Sequence, residues 1–220
     1  MEQVIKQVKI LLDNDNSGHG FDHIERVLEL SLRFCEEERA NKEIVSLIAL
    51  LHDVDDYKLF GKENSEMLPN AKYILESCNI DERIRTHVLD EIKRIGYSKA
   101  LKGIRPLTIE GMIVSDADMC DASGAHGLLR CYAYSMKIKQ PFFKKDLFPI
   151  ENISHEKYTS YDSTSVNHLF EKILKLKDYM LTNEGKNEAL KRHQIVVDFL
   201  EQYFKEEDAN DWLIYLTNYK

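Results

Sequence analysis

No stretch of this 220-residue chain approaches the about 18–20 consecutive apolar residues that a membrane-spanning helix needs. Met1–Leu12 is amphipathic, with neither the apolar centre nor the cleavage site of a secretory signal, so a cytoplasmic protein with no membrane partner is expected. An excess of positive charge is also missing. Lys and Arg number 30 against 38 Asp and Glu, a net charge of −8, which leaves no basic footprint for nucleic acid. The four cysteines (Cys35, Cys78, Cys120 and Cys131) include no pair at two-residue spacing, which argues against a zinc knuckle or a redox dithiol. Cys35, Cys120 and Cys131 have apolar neighbours and are expected as reduced thiols in or near the core. Neither a phosphate-binding Gly-x4-Gly-Lys-Ser/Thr loop nor a dinucleotide fingerprint occurs, so P-loop phosphoryl transfer is not expected. An acidic chain can still bind a phosphorylated small molecule where a metal supplies local positive charge.

Glycine and proline are scarce, at 9 and 4 residues, and apolar residues recur at helical rather than alternating spacing. An all-helical protein follows. Predicted helices cover about 2–12, 21–39, 44–51, 71–77, 81–95, 107–121 and 122–136, with Asp22 and Asp81 as N-caps and a break at Ser123-Gly124. The segment 138–162 lacks periodicity and is expected to lie over a site or a neighbouring subunit. Two long amphipathic helices, 163–182 and 185–205, follow as a C-terminal layer. With no repeat or linker, 1–220 reads as a single domain, and the long C-terminal helices would also suit a homodimer.

The chemistry begins at Ile44–Tyr57. An apolar run to Leu51 ends abruptly in His52, Asp53, Asp55 and Asp56. A helix apolar on all sides is buried, so its last turn brings an imidazole and carboxylates to the edge of a core. Such groups must be paired, hydrogen-bonded or metal-bound. His23 falls on the inward stripe of its helix with Val27, Leu30 and Phe34. A third helix carries Asp116, Asp118 and Asp121 in an apolar context. Imidazoles and carboxylates together form a nitrogen and oxygen ligand set suited to Mn, Fe, Zn, Ni or Co, and less readily to Mg. Spacing does not choose between Asp116 and Asp118, since each continues an apolar stripe.

The ordered set His19-Gly-Phe-Asp-His-Ile-Glu-Arg-Val27, Leu50-Leu-His-Asp53 and Asp116-Ala-Asp118 resembles the HD-domain metal-dependent phosphohydrolases. Within them it is similar to the branch that includes bacterial nucleotide pyrophosphohydrolases. Ile113–Gly127 and His168–Met180 extend the likeness, which spans about residues 19–205. The resemblance implies a compact all-α HD-domain-like bundle and one divalent ion held by His23, His52, Asp53 and Asp118. It makes Asp56 the residue that assists the attacking water. Arg26 and Lys58, within a turn or so of these ligands, are candidates to hold substrate phosphates, and His19 borders the same region. His168, Lys172 and Lys175 form a stripe that could face phosphates. Asp55 reads as a solvated acid, Asp116 and Asp121 as caps or ion-pair partners, and His87 as an ordinary helix residue. At Arg94-Ile-Gly-Tyr-Ser98 the chain lacks the His-Ser-Phe that the branch often carries there, so no substrate role transfers to that segment.

The resemblance therefore implies a metal-dependent hydrolase of a small phosphorylated compound, a nucleotide, cutting an ester or pyrophosphate bond. The alternatives are a nucleotide-sensing HD module that does not hydrolyse and a helical structural protein.

Overall fold

The computed structural model describes residues 1–13, 20–150 and 163–220. In chain order the helices are α1 Glu2–Leu12, α2 Phe21–Glu38, α3 Lys42–Leu51, α4 Tyr57–Met67, α5 Pro69–Ser77 and α6 Glu82–Ile92. They continue as α7 Tyr97–Ala100, α8 Ile109–Asp121, α9 Gly124–Lys137, α10 Ser165–Glu171, α11 Asn183–Glu206 and α12 Asn210–Leu216. Two 3₁₀ segments, Ile173–Tyr179 and Thr217–Tyr219, complete the set, and no strand occurs among the described residues. Nor is any described helix long and apolar enough to cross a membrane. His19 and residues 151–162 lie outside the described residues.

The chain divides into two compact units, one of Met1–Met119 with Met180–Lys186, the other of Cys120–Tyr179 with Asn187–Lys220. In the first, α3 is central and packs against α1, α2 and α6. Its N-cap Asn41 accepts from the N–H groups of Glu43 (3.0 Å) and Ile44 (3.3 Å), so the helix starts two residues before its apolar run. Every residue from Val45 to Leu51 is buried. Each fully buried Leu or Ile contributes about 1.5–3 kcal/mol, which makes α3 the main apolar anchor of this unit. The expectation of a helix buried on all sides is met.

Local signals placed some helix ends correctly and others not. Asp81 caps α6 as predicted, accepting from Arg83 N–H at 2.9 Å. Asp22 does not cap α2. The cap position is Gly20, and Asp22, already inside the first turn, pairs with Arg26 at 2.8 Å. α4 is helical from Tyr57, with a kink where Gly61 takes φ 86° and ψ 171°. That conformation is easy only for glycine, which is why helical residues continue on both sides of it.

The second unit is built on an aromatic core. Phe170, Phe204 and Trp212 are fully buried, with Phe143, Tyr203, Tyr215 and Tyr219 around them. Residues of the aperiodic segment join it. Phe148 stacks on Trp212 at 4.3 Å, and Trp212 Nε1–H donates to Lys145 O at 3.0 Å. The predicted helix 163–182 is broken. α10 ends at Glu171, Lys172 leaves helical geometry at φ −129°, and a 3₁₀ turn buries Ile173, Leu174 and Leu176. A 3₁₀ repeat eclipses positions i and i+3, so Ile173 and Leu176 face one way. His168, Lys172 and Lys175 consequently do not share a continuous α-helical stripe. The following helix is long, as expected, at 24 residues. All four cysteines are free, Cys35 and Cys120 buried, Cys78 and Cys131 half-buried.

Candidate metal centre

His23 sits in the first turn of α2, His52 is the C-cap of α3, Asp53 follows it, and Asp118 lies in the last turns of α8. All four belong to the first unit. His23 and His52 are buried and bring their Nε2 atoms to 3.3 Å, with ring planes at 64°. Around His23 Nε2 stand Asp53 Oδ2 and Asp118 Oδ1, each at 3.5 Å, and Asp53 Oδ2 is 3.8 Å from His52 Nε2. One ligand atom from each of His23, His52 and Asp118 lies within 4.8 Å of the others.

The backbone prepares one imidazole. His52 Nδ1 is 2.8 Å from Ala49 O, an acceptor only, so Nδ1 carries a hydrogen, and in the neutral ring the lone pair is on Nε2, which faces His23 and the acids. Burial alone would lower the pKa of His52. The Asp53 and Asp118 carboxylates outweigh it, with Ala49 O and Asp56 adding to the same side, and the net shift is upward. The converging atoms are thus two imidazole nitrogens and two carboxylate oxygens, a donor set that fits a borderline or hard divalent ion.

Asp116 and Asp118 are two residues apart on α8, about 200° around its axis. Asp118 reaches the histidines. Asp116 is fully buried elsewhere and accepts from Leu181 N–H (2.9 Å), Thr182 N–H (2.7 Å) and the Thr182 hydroxyl (2.8 Å). Gly185 lies so close that a Cβ there would come within 2.1 Å of Asp116 Oδ2. Asp116 is therefore a structural acceptor at the start of α11. Asp121, in the second unit, is buried and pairs with Arg130 at 3.3 Å.

The neighbouring acids separate by environment. Asp56 is the N-cap of α4, its Oδ1 accepting from Lys58 N–H at 2.9 Å. Asp55 is not solvated: it is 3% exposed and accepts from the N–H groups of Asn70 (3.1 Å) and Ala71 (2.9 Å). Burial pushes its pKa up against those hydrogen bonds. Sequence reasoning missed this role because the partners lie 15 and 16 residues away. The available signal was α5 itself, a helix opening with Leu68-Pro69 and no capping side chain of its own. Glu91 was also missed: it is buried and accepts from Leu107 N–H at 3.1 Å.

Of the predicted phosphate contacts, Arg26 is ion-paired with Asp22, and Lys58 is exposed with Nζ 5.8 Å from the Tyr57 ring centroid. Lys172 and Lys175 are half-buried residues of the second unit. His19 falls outside the described residues. His87, in α6, bonds Thr108 Oγ1 at 3.1 Å, just before α8.

The HD domain family's profile matches residues 20–123, which holds all four converging residues. An HD-superfamily hydrolase from Bacillus thuringiensis is 34% identical, with a TM-score of 0.74 over 94% of this chain and 96% of that one. The chain belongs to the HD superfamily. Other similar proteins agree in extent. A Lactobacillus plantarum protein of known structure is 30% identical with a TM-score of 0.80, covering 94% of this chain and 96% of that one. YpgQ of Bacillus subtilis is 29% identical over 93% of this chain and 92% of its own length. Its complex with ADP superposes with a TM-score of 0.70 at 27% identity, over 93% of both chains.

Proposed function

We propose that this HD-superfamily chain is a divalent-metal-dependent phosphohydrolase that cleaves an ester or anhydride bond of a small phosphorylated compound, a nucleotide. The observation that carries the reading is the convergence of His23, His52 and Asp118, with Asp53 beside them, at one point of the first unit. Four such groups, two of them fully buried imidazoles, are held together at low cost when a cation lies among them. The ADP bound by YpgQ and the hydrolase from Bacillus thuringiensis support the substrate class and the reaction type.

In this reading His23, His52, Asp53 and Asp118 hold one divalent ion, drawn from Mn, Mg, Fe, Ni, Co or Zn. When bound, the ion would supply charge neutralisation on a phosphate oxygen and acidify water for attack. The remaining work falls to side chains. Asp56 uses one carboxylate oxygen to cap α4 and the other to take the proton of the attacking water. As the new P–O bond forms, the P–O bond to the leaving group breaks. Arg26 and Lys58 would balance charge on the phosphates, Arg26 by exchanging its Asp22 partner for substrate. His19, Lys172 and Lys175 remain candidate phosphate contacts.

Purified protein is stripped of metal, reloaded with Mn and assayed on nucleoside mono-, di- and triphosphates, with the products separated. Release of phosphate, pyrophosphate or triphosphate by the parent, and none by His52→Ala, is the expected result. A metal-loaded parent that binds nucleotide and returns it unchanged would move the reading to a sensing module. Failure of the parent to bind metal would reject the centre.

A further inference from the structure

Asp55 stands between Asp53 and Asp56, the two acids of this loop that the proposed chemistry uses. The loop has little structure of its own. Residues 52–55 form turns that lead to Asp56, the cap of α4, with backbone bonds from Val54 N–H to Leu51 O (3.4 Å) and from Asp56 N–H to Asp53 O (3.1 Å). It is also attached to α5. Asp55 Oδ1 accepts from Asn70 N–H and Oδ2 from Ala71 N–H, while Asn70 Nδ2 returns a hydrogen bond to Val54 O at 2.9 Å. Two consecutive loop residues are thus tied to two consecutive helix residues by three hydrogen bonds.

The helix is suited to this duty. α5 packs on α1 and α6, with Ala71 and Leu75 fully buried, so its start is fixed by the core. It also has donors to give. Leu68 occupies the cap position in left-handed geometry with no side-chain bond, and Pro69 has no N–H, which makes Asn70 and Ala71 the first donors of the helix. A carboxylate offers an oxygen to each of them. An amide at position 55 would accept from one and present its own N–H groups to the other.

We propose that Asp55 is a positioning residue, which fastens the His52–Asp56 loop to the N-terminus of α5 and so sets where Asp53 and Asp56 stand relative to His23 and Asp118. The inference rests on the metal-centre reading. It differs from a capping role confined to α5 in what it connects: a cap stabilises its helix, whereas this one also holds the loop that carries two groups of the centre. Outer-sphere partners of metal ligands, when removed, typically weaken metal binding about 10–100-fold.

The test is Mn²⁺ titration followed by electron paramagnetic resonance, far below the melting temperature, with circular dichroism and thermal melts recorded in parallel. The proteins are the parent, Asp55→Asn, Asn70→Ala and, as a control on stability alone, Leu75→Ala in the buried face of the same helix. Asp55→Asn is expected to keep its helical spectrum and bind Mn²⁺ about 10–100-fold more weakly. Asn70→Ala, which removes only the bond to Val54 O, should weaken it less. Leu75→Ala should lower the melting temperature and leave the affinity in place. Parent-like affinity in both Asp55→Asn and Asn70→Ala would overturn the proposal, as would an equal loss of affinity in Leu75→Ala. If Asp55→Asn does not fold, Asn70→Ala against Leu75→Ala decides by the same criterion. A parent that binds no Mn²⁺ would instead remove the metal-centre reading and this inference with it.

Discussion

His23 and His52 hold their Nε2 atoms 3.3 Å apart, from the start of one helix and the end of another, 29 residues distant in the chain. The Ala49 carbonyl accepts the Nδ1 hydrogen of His52, so the neutral ring offers its lone pair from Nε2 at the meeting point. Asp53 and Asp118 carboxylate oxygens stand 3.5 Å from His23 Nε2, so two imidazoles and two carboxylates meet at one point, the set proposed above to hold a cation.

Removing either imidazole should therefore cost more than removing an outer partner. His23→Ala and His52→Ala are each expected to weaken Mn²⁺ binding beyond the about 10–100-fold typical of outer-sphere changes. Calorimetric titration of stripped protein checks this, and parent-like binding in both would contradict the assignment.

Asp56 should separate chemistry from metal binding. Asp56→Asn keeps an oxygen to accept from Lys58 N–H and loses the basic group, so kcat is expected to fall about 10²–10⁴-fold. Mn²⁺ affinity should stay within a few-fold of the parent. A variant with unchanged kcat would show that another group receives the proton.

The two acids of α8 should fail in different ways. Asp118→Ala is expected to lose metal while melting close to the parent. Asp116→Ala leaves the buried donors of Thr182 without a partner, at about 1–3 kcal/mol for each donor left unsatisfied, and removes the acceptor of the half-buried Leu181 N–H. Gly185→Ala, whose Cβ would press on the same carboxylate, should destabilise by about 1–3 kcal/mol as an overpacked site. Urea titrations with both variants measure the two costs.

His193 supplies a pH dependence distant in sequence from the proposed metal ligands. It is buried in the second unit and its Nε2–H donates to Tyr219 O at 2.7 Å. Burial holds its pKa below the usual 6.5, with Lys177 acting the same way, and the bond to Tyr219 O opposes them. A folded pKa below the unfolded one means that the unfolded chain takes up the proton first. This contribution to stability is present above pH 6.5 and lost as pH falls through the folded value. His193→Gln keeps a donor for Tyr219 O and cannot titrate, so its stability should decline less between about pH 7 and pH 5. Parallel unfolding curves at several pH values test it, and identical slopes in both proteins would count against it.

Much of the fold was legible because its signals are local. Helical spacing located the buried run Val45–Leu51, and the acid before α6 marked Asp81 as a cap. The break at Lys172 was not legible, because Ile173, Leu174 and Leu176 satisfy a helical pattern while their packing selects a 3₁₀ turn. The cap of α5 was hidden for a different reason. Its acceptor, Asp55, comes from another segment, and a loop aspartate next to a charged helix end has the composition of a solvated residue.

By itself the sequence determined an all-helical chain with one strongly buried helix, α3, that ends in a histidine and acids needing a counter-charge. Periodicity and the cost of burying polar groups are local properties, and they suffice for that. Spacing left Asp116 and Asp118 open, and the family resemblance named Asp118 with His23 and His52. Only the tertiary structure showed Asp118 facing His23, Asp116 bonded to Leu181 and Thr182, and Asp55 assigned to α5. Those outcomes depend on the rotation of α8 about its axis and on which backbone donors a distant helix leaves open. Neither is encoded in spacing along the chain.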